Sequence, residues 1–532
     1  MNSKLLLLAD EAVAQAALDA GISGVYAYPG TPSTEITEYI QSSDKAQREN
    51  IHRNWSANEK TAMEAAMGMA FAGRRALVCM KHVGVNVAAD PLMNSSISGV
   101  VGGLVFVAAD DPSMHSSQNE QDSRFYGRFA MIPVLEPSSQ QEAYDMTYYG
   151  FELSEKLGFP VMLRITTRLA HSRSGVVRRE ERAQNKLRFS DDPRQFVLLP
   201  VNARQRYKKL LAAQQDMQAL SEASSFNAFF PGKDLSKGVV ACGIAYNYLM
   251  ENFPEGCPFP VLKVGQYPLP KTAIAQLLEN CGEVVVLEEG YPLAEEMIGG
   301  LLNRGNKVTG RLSGLLPRDG ELNPDIVAAA FGLKTTQLFE KPEVVMPRPP
   351  ALCQGCGHRD MYDALNVAIA EYGERVKVFG DIGCYTLGYL PPFKALHACL
   401  DMGASITMAK GAADAGLEYA VAVIGDSTFT HSGMTSLLDA VYENSPITVI
   451  ISDNEVAAMT GGQDSPGTGR LEAICAGLGV KPEHIRSLVP LKKNHDEMVR
   501  VIKEEMNYRG VSVIIPRRAC IHTLNRKKNS KQ

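Results

Sequence analysis

Two apolar runs flanking a helix-length segment, each ending in a polar break, constrain this chain more than any other feature. Ala420 to Ile424 breaks at Gly425-Asp426-Ser427, Ile447 to Ile451 ends at Asp453-Asn454, and Gly433 to Tyr442 lies between them. The order is strand, helix, strand, with both breaks at strand C-terminal ends, the edge where open α/β sheets hold ligands. The Asp426 carboxylate and the Asn454 side-chain carbonyl are hard oxygen donors suited to Mg²⁺, which keeps its other positions for water and phosphate oxygens. Gly425 admits backbone close to a diphosphate, and Ser427 with the following helix N-terminus offers N–H donors. Alone, Gly-Asp-Ser is more often an ordinary strand-to-helix turn. The paired break favours a site.

Gly-Asp-Ser followed after 25 residues by Asp-Asn resembles the Mg²⁺-diphosphate motif of thiamine diphosphate enzymes. DNEVAAMTGGQ resembles the variant found in 2-oxoacid:ferredoxin oxidoreductases. That resemblance implies a metal held by Asp426, Asn454 and the backbone carbonyl of Val456.

A chain of 532 residues exceeds one hydrophobic core and calls for about three domains. Its 45% hydrophobic and 21% charged content is that of a soluble globular protein. A net charge of -5 gives no electrostatic case for nucleic-acid binding, and the basic tail Arg526 to Lys531 reads as a solvated terminus. No apolar run reaches membrane-spanning length, and Leu5 to Leu8 is too short for a signal sequence and leads into the helical pattern Asp10 to Ala20. A cytoplasmic protein is expected, whose ten cysteines are not a disulfide framework. Cys79, Cys242, Cys257, Cys281, Cys399 and Cys475 are scattered singly, as small buried hydrophobes are. Cys353 and Cys356 form C-x-x-C, and Cys384 lies in a Gly-rich turn.

In chain order, a first α/β region runs to about residue 174. Val25 to Tyr28 reads as a strand ending in Pro29-Gly30-Thr31-Pro32-Ser33-Thr34-Glu35, where Ser33 or Thr34 caps a helix from Glu35. Such an N-terminus suits a carboxylate or phosphate, though a plain capped turn explains it more simply. Asn58-Glu59-Lys60 opens an alanine-rich helix whose Ala62, Ala65, Ala66, Met69 and Ala70 form one close-packing face. Glu59 there reads locally as helix-dipole chemistry. Ala76 to Met80 and Leu104 to Ala108 read as strands ending in Lys81-His82-Val83-Gly84 and Asp110-Asp111-Pro112. Residues 176–236 turn polar and charged, a connecting segment. A second α/β region has strands at Gly238 to Cys242, Val261 to Val264 and Val284 to Leu287, with Glu288-Glu289 read as a solvated strand end. Pro342, Pro347, Pro349 and Pro350 mark 341–350 as a stiff linker. The third region, 351–532, adds strands at Val376 to Phe379 and Val511 to Ile515, followed by Gly380-Asp381-Ile382-Gly383-Cys384 and Arg517-Arg518-Ala519-Cys520. Polar residues gather repeatedly at strand ends, the pattern of doubly wound sheets.

In the same order, YPGTPSTE, NEK, MKHVGVN, DDPSMHSSQNEQDSRFYGRF, CQGCGHR, GDIGCYTLG, GDSTFTHSGM and DNEVAAMTGGQ resemble the alpha subunits of indolepyruvate ferredoxin oxidoreductases over nearly the whole chain. The resemblance implies an α/β fold of three doubly wound domains. These are a pyrimidine-binding domain over 1–175, a transketolase C-terminal-like domain over 237–340 and a diphosphate-binding domain over 351–532. It implies a catalytic subunit that oxidatively decarboxylates indolepyruvate-type aryl pyruvates to acyl-CoA, with thiamine diphosphate, Mg²⁺ and a [4Fe–4S] cluster as cofactors. Electrons would pass to ferredoxin or another low-potential acceptor.

By the same resemblance, Glu59 matches the glutamate at the aminopyrimidine ring, with Glu64 as fallback, and Thr31 matches the hydroxyl that touches the substrate carboxylate. Lys81, His82 and His115 are candidates by strand-end position. Gly383, Gly425, Asp426, Ser427 and Asn454 fall at the diphosphate and its metal. Locally, C-x-x-C with two distant cysteines is compatible with zinc, a cluster or neither. Related oxidoreductases hold a [4Fe–4S] centre at positions matching Cys353, Cys356, Cys384 and Cys520. Implied partners are a smaller beta subunit, coenzyme A and the electron acceptor, in a dimer of heterodimers, with no nucleic acid or membrane. The family's alpha subunit usually continues into a ferredoxin-like module with two C-x-x-C-x-x-C-x-x-x-C runs, and no such run occurs here. Either electrons leave through a partner chain, or this chain is a trimmed form of a longer one, or another acceptor is used. A non-oxidative decarboxylase and a zinc-stapled scaffold are the alternative readings.

Overall fold

The computed structural model describes residues 4–303, 305, 307–335, 340, 342–346 and 348–529. Lys341 and Pro347 of the expected linker, and Ser530 and Lys531 of the basic tail, lie outside them. The chain packs as two compact units, residues 1–340 and 341–532.

In the first unit a six-stranded sheet runs Gln266–Tyr267, Val134–Leu135, Val161–Thr166, Leu104–Asp110, Ala76–Lys81, Gly24–Ala27. Its strands are parallel except Gln266–Tyr267, which pairs antiparallel with Val134–Leu135. A five-stranded sheet runs Val308–Thr309, Glu283–Leu287, Lys237–Cys242, Val261–Val264, Ala228–Phe230. The stretch 176–236 therefore does more than connect. Ala228–Phe230 completes the second sheet, and the helix Pro200–Glu222 is tied down when Ser221 Oγ donates to the Pro268 carbonyl (2.5 Å) and Arg206 to the Ser98 carbonyl (2.7 Å).

The expected solvated end at Glu288-Glu289 is overturned, because both side chains are only 1% exposed. Arg124, fully buried, lies 2.8 Å from Glu288 and 2.5 Å from Asp122, and donates to the Glu289 and Tyr291 carbonyls. Arg164 pairs with Asp110 (2.6 Å) and Glu136 (2.5 Å), and Arg311 lies 3.6 Å from Glu289. Carboxylates can be buried here because guanidinium forks neutralise them, so removing one partner would strand a charge. Burial nevertheless pushes the Glu289 carboxyl up to about 8.

The second unit is built on a six-stranded parallel sheet in the order Ala398–Cys399, Val376–Gly380, Tyr419–Gly425, Ile447–Ser452, Ser512–Pro516, Ile485–Leu488, with a separate antiparallel pair Val456–Ala457 and Gln463–Asp464. Alternate residues of each strand go to opposite faces. Val421 and Val423 pack with the core on the helix Gly357–Ile369, and Ala422 and Ile424 with the core on Met434–Tyr442. Near-continuous apolar strands follow from this double covering. Among the described residues no helix is long and apolar enough to cross a membrane.

Candidate cofactor site

In the second unit Asp426 opens a helical segment directly after the strand Tyr419–Gly425, followed by a π-helical turn, Phe429–Gly433, where Thr430 Oγ1 donates to the Ser427 carbonyl (3.0 Å). Such turns recur at functional sites. Asp426 is 2% exposed and its Oδ2 is buried without a partner. Burial first, then the neighbouring Asp453 charge, pushes its carboxyl up to about 7. An orphaned buried carboxylate oxygen beside a second carboxylate is a site that a cation would complete.

The facing turn is built by side chains. Asp453 Oδ1 accepts from Glu455 N–H (3.0 Å) and Asn454 Oδ1 from Val456 N–H (3.2 Å), with Glu455 in the left-handed region at φ 69°. A non-glycine residue there is held by its surroundings. Arg517 fixes Asp453 through Nε (2.6 Å) and reaches Glu472 (2.8 Å). Asn454, Val456, Ser465 and Cys520 line one cavity of about 320 Å³.

The cysteines meet that turn. Cys520 N–H donates to the Asn454 carbonyl (3.1 Å), Cys356 N–H to the Cys353 carbonyl (3.1 Å), and Cys353 Sγ lies 3.2 Å from His522 Nε2. Burial, then the neighbouring Cys356, Cys520 and Cys353, pushes the Cys384 thiol up to about 12. Asp426 adds to the same effect. Cys384 therefore senses the other three thiols and Asp426.

Gly383 and Gly425 serve a purpose that the sequence did not reveal. A Cβ on either would come within 2.3 or 2.6 Å of the Tyr385 ring, so both glycines make room for that tyrosine, whose hydroxyl bonds Asp381. Burial holds Asp381 at about 6. Ser427 is buried beside Asp426. His358, two residues after Cys356, is likewise hidden from sequence reasoning. Its Nδ1 lies 2.9 Å from Ser452 Oγ, its Nε2 is buried without a partner, and burial pushes the imidazole down to about 4.

In the first unit Glu59 is the first residue of the helix Glu59–Phe71, capped by Asn58, and is 6% exposed. Gly84 packs on it, since a Cβ there would stand 2.5 Å from Glu59 Oε1. Glu64 is exposed and paired with Lys60, which disqualifies it as the buried carboxylate. Thr31 sits half-buried at a cis Thr31–Pro32 bond. The expected Ser33/Thr34 cap is not made. Ser33 donates to the Gly30 carbonyl (2.8 Å) and Thr34 Oγ1 accepts from Gly30 N–H (3.0 Å), which tightens the turn instead. Gly30 in turn faces Lys81, whose Nζ donates to the Ser116 carbonyl (2.7 Å). His82 Nδ1 accepts from Asp111 N–H (3.3 Å), so its proton belongs on Nε2, and burial lowers its basicity. His115 is exposed beside Glu321 and stands apart from this group.

Residues 15–218 match the family model for pyruvate flavodoxin/ferredoxin oxidoreductases, thiamine diphosphate-binding. Residues 381–515 match the C-terminal TPP-binding domain of thiamine pyrophosphate enzymes. The chain is 39% identical to an indolepyruvate oxidoreductase subunit IorA of Archaeoglobus fulgidus, covering 98% of this chain and 87% of that protein. The IorA of Pyrococcus abyssi is 38% identical, covering 98% and 86%. The chain belongs to the IorA family. A solved 2-oxoglutarate:ferredoxin oxidoreductase from Magnetococcus marinus is 15% identical with a TM-score of 0.49, over 62% of this chain and 65% of that one. IorA-family membership makes this a thiamine diphosphate-binding oxidoreductase subunit, and the buried Glu59 and the orphaned Asp426 oxygen fit that cofactor and a divalent ion.

The Glu59–Gly84 contact makes a prediction for this IorA-family chain. Gly84→Ala is expected to displace the Glu59 carboxylate and lower kcat by about 10²-fold, with KM for the 2-oxoacid little changed. Steady-state reduction of an artificial acceptor measures it, and an unchanged kcat would show that Glu59 tolerates displacement.

Proposed function

We propose that this chain is the catalytic subunit that oxidatively decarboxylates indolepyruvate-type 2-oxoacids to acyl-CoA, handing electrons to ferredoxin or another low-potential acceptor. The observation that carries it is the backbone bond from Cys520 to Asn454, which joins the metal-binding turn to the four-cysteine group. Thiamine diphosphate supplies, when bound, the electron sink that breaks the bond to the substrate carboxylate. Residues 1–175 take its pyrimidine end, with Glu59 holding a proton at the ring and Thr31 and His82 facing substrate. Residues 237–340 form the transketolase C-terminal-like domain. Residues 351–532 take the diphosphate end, with Gly383, Gly425 and Ser427 around it and Asp426, Asn454 and the Val456 carbonyl on Mg²⁺.

Cys353, Cys356, Cys384 and Cys520 are assigned to a [4Fe–4S] cluster. A set of four thiolates serves zinc or a cluster, and an oxidative reaction that must hand on single electrons favours the cluster. The working form is a cytoplasmic dimer of heterodimers with a smaller beta subunit.

Anaerobic purification with that subunit tests the assignment. Iron and sulfide near four per chain are expected for a [4Fe–4S] centre, together with an EPR signal after dithionite that Cys384→Ser removes. An iron-free protein that retains full activity would end the cluster reading. Aldehyde release without coenzyme A or an acceptor would replace the reaction by simple decarboxylation.

A further inference from the structure

A separate group of ligating side chains in the first unit has no part in the reaction proposed above. Asp10, in the first turn of the helix Ala9–Asp19, Glu35, in the first turn of Thr34–Gln41, and His171, which ends the helix Thr167–Ala170, each bring one ligand atom within 4.8 Å of the others. Asp10 is fully buried, and no N–H or hydroxyl donor reaches either of its carboxylate oxygens; its polar neighbour is the Glu35 carboxyl, with which it can share a proton. Glu35 Oε2 is buried and unpartnered as well, while its Oε1 lies 3.6 Å from His171 Nε2. Among the described residues no lysine or arginine pairs with Asp10 or Glu35; the adjacent Glu11 is acidic and already engaged, accepting from Leu8 N–H (2.8 Å) and lying 3.4 Å from Arg173. A buried carboxyl beside a second, half-exposed one is costly to ionise unless a proton or a metal joins them, and His171, whose basicity Glu35 raises, answers only the Glu35 charge.

We propose that Asp10, Glu35 and His171 bind a divalent cation of the zinc class. Two carboxylates with one imidazole nitrogen form a mixed oxygen and nitrogen set, which suits zinc and its neighbours better than Mg²⁺ or Ca²⁺. The cluster is open on one side, because the Glu35 and His171 side chains are each 36% exposed. They give the ion an entry path and the freedom to close on it, while Asp10 supplies the fixed, desolvated ligand. The three ligands come from three helices, and Glu35 lies four residues beyond Thr31. A bound ion would therefore pin the start of the helix that follows the Thr31 turn. This site is distinct from the all-oxygen set of Asp426, Asn454 and Val456.

The test is equilibrium dialysis of the complex with its partner subunit against Zn²⁺, after chelator treatment and with thiamine diphosphate and Mg²⁺ in excess. Metal analysis gives stoichiometry, and zinc K-edge absorption separates nitrogen and oxygen ligands from sulfur. One Zn²⁺ per chain with nitrogen and oxygen ligands is expected, with affinity falling at least about 100-fold in His171→Gln and Asp10→Asn, since even residues that only support a ligand cost 10- to 100-fold. The half-exposed His171 can be exchanged without opening the core, so the claim stands or falls on that variant if Asp10→Asn does not fold. No uptake, uptake by sulfur alone, or affinity unchanged in His171→Gln would overturn the site and leave Asp10 and Glu35 sharing a proton.

Discussion

Exchanging Glu59 for glutamine is expected to lower turnover by about 10²- to 10⁴-fold, the range of a single positioned acid–base group. Glutamine keeps the size and the helix position of Glu59 but cannot hold or release a proton, so the fold and cofactor binding should change little. The carboxylate is 6% exposed and Gly84 closes against it, which leaves water little room to substitute. Glu64 is no substitute either, being exposed and paired with Lys60. Rates of indolepyruvate-dependent acceptor reduction, set against thiamine diphosphate affinity by calorimetry, separate the two effects. A variant that turns over at the parent rate would remove Glu59 from the reaction. One that loses the cofactor would make it a binding residue instead.

The apolar runs located the strands well because burial on both faces writes itself into consecutive residues. Val261 to Val264 matches the observed strand, and the run Ala420 to Ile424 lies within Tyr419–Gly425. Val134–Leu135 and Gln266–Tyr267 are two residues each, too short to carry a period, and only their neighbours make them strands. Local chemistry failed where the deciding partner was distant. Glu288 resembles a solvated edge until Arg124, far earlier in the chain, is brought 2.8 Å from it. At Gly383 and Gly425 the Tyr385 ring supplies a second reason for glycine that local reading does not show. The cysteine group lies beyond local reading too: nothing in the spacing of Cys356, Cys384 and Cys520 joins them, and only the resemblance named them as a set.

The second large effect is expected at Asp426, where a cofactor role and a structural role predict opposite outcomes. If the carboxylate served the fold, Asp426→Ala would destabilise the cofactor-free protein, as loss of a satisfied buried group does. Instead its Oδ2 has no partner, and burial with the neighbouring Asp453 charge outweighs the hydrogen bonds from Ser465, Ser427 and Asn454 that favour its ionised form. Removing such a group relieves desolvation and like-charge repulsion, so the apo variant should melt no lower than its parent. What it should lose is the response to ligand. A ligand at 100 times its Kd adds about 2.7 kcal/mol to stability, and Mg²⁺ with thiamine diphosphate should raise the Tm of the parent accordingly. In Asp426→Ala that rise should vanish, together with activity, because Asn454 and the Val456 carbonyl are left without the charged ligand that draws the cation in. Differential scanning with and without the cofactor reads both quantities in one experiment. A variant that melts low and still shifts with cofactor would assign Asp426 to the fold and return the metal to other oxygens of the turn.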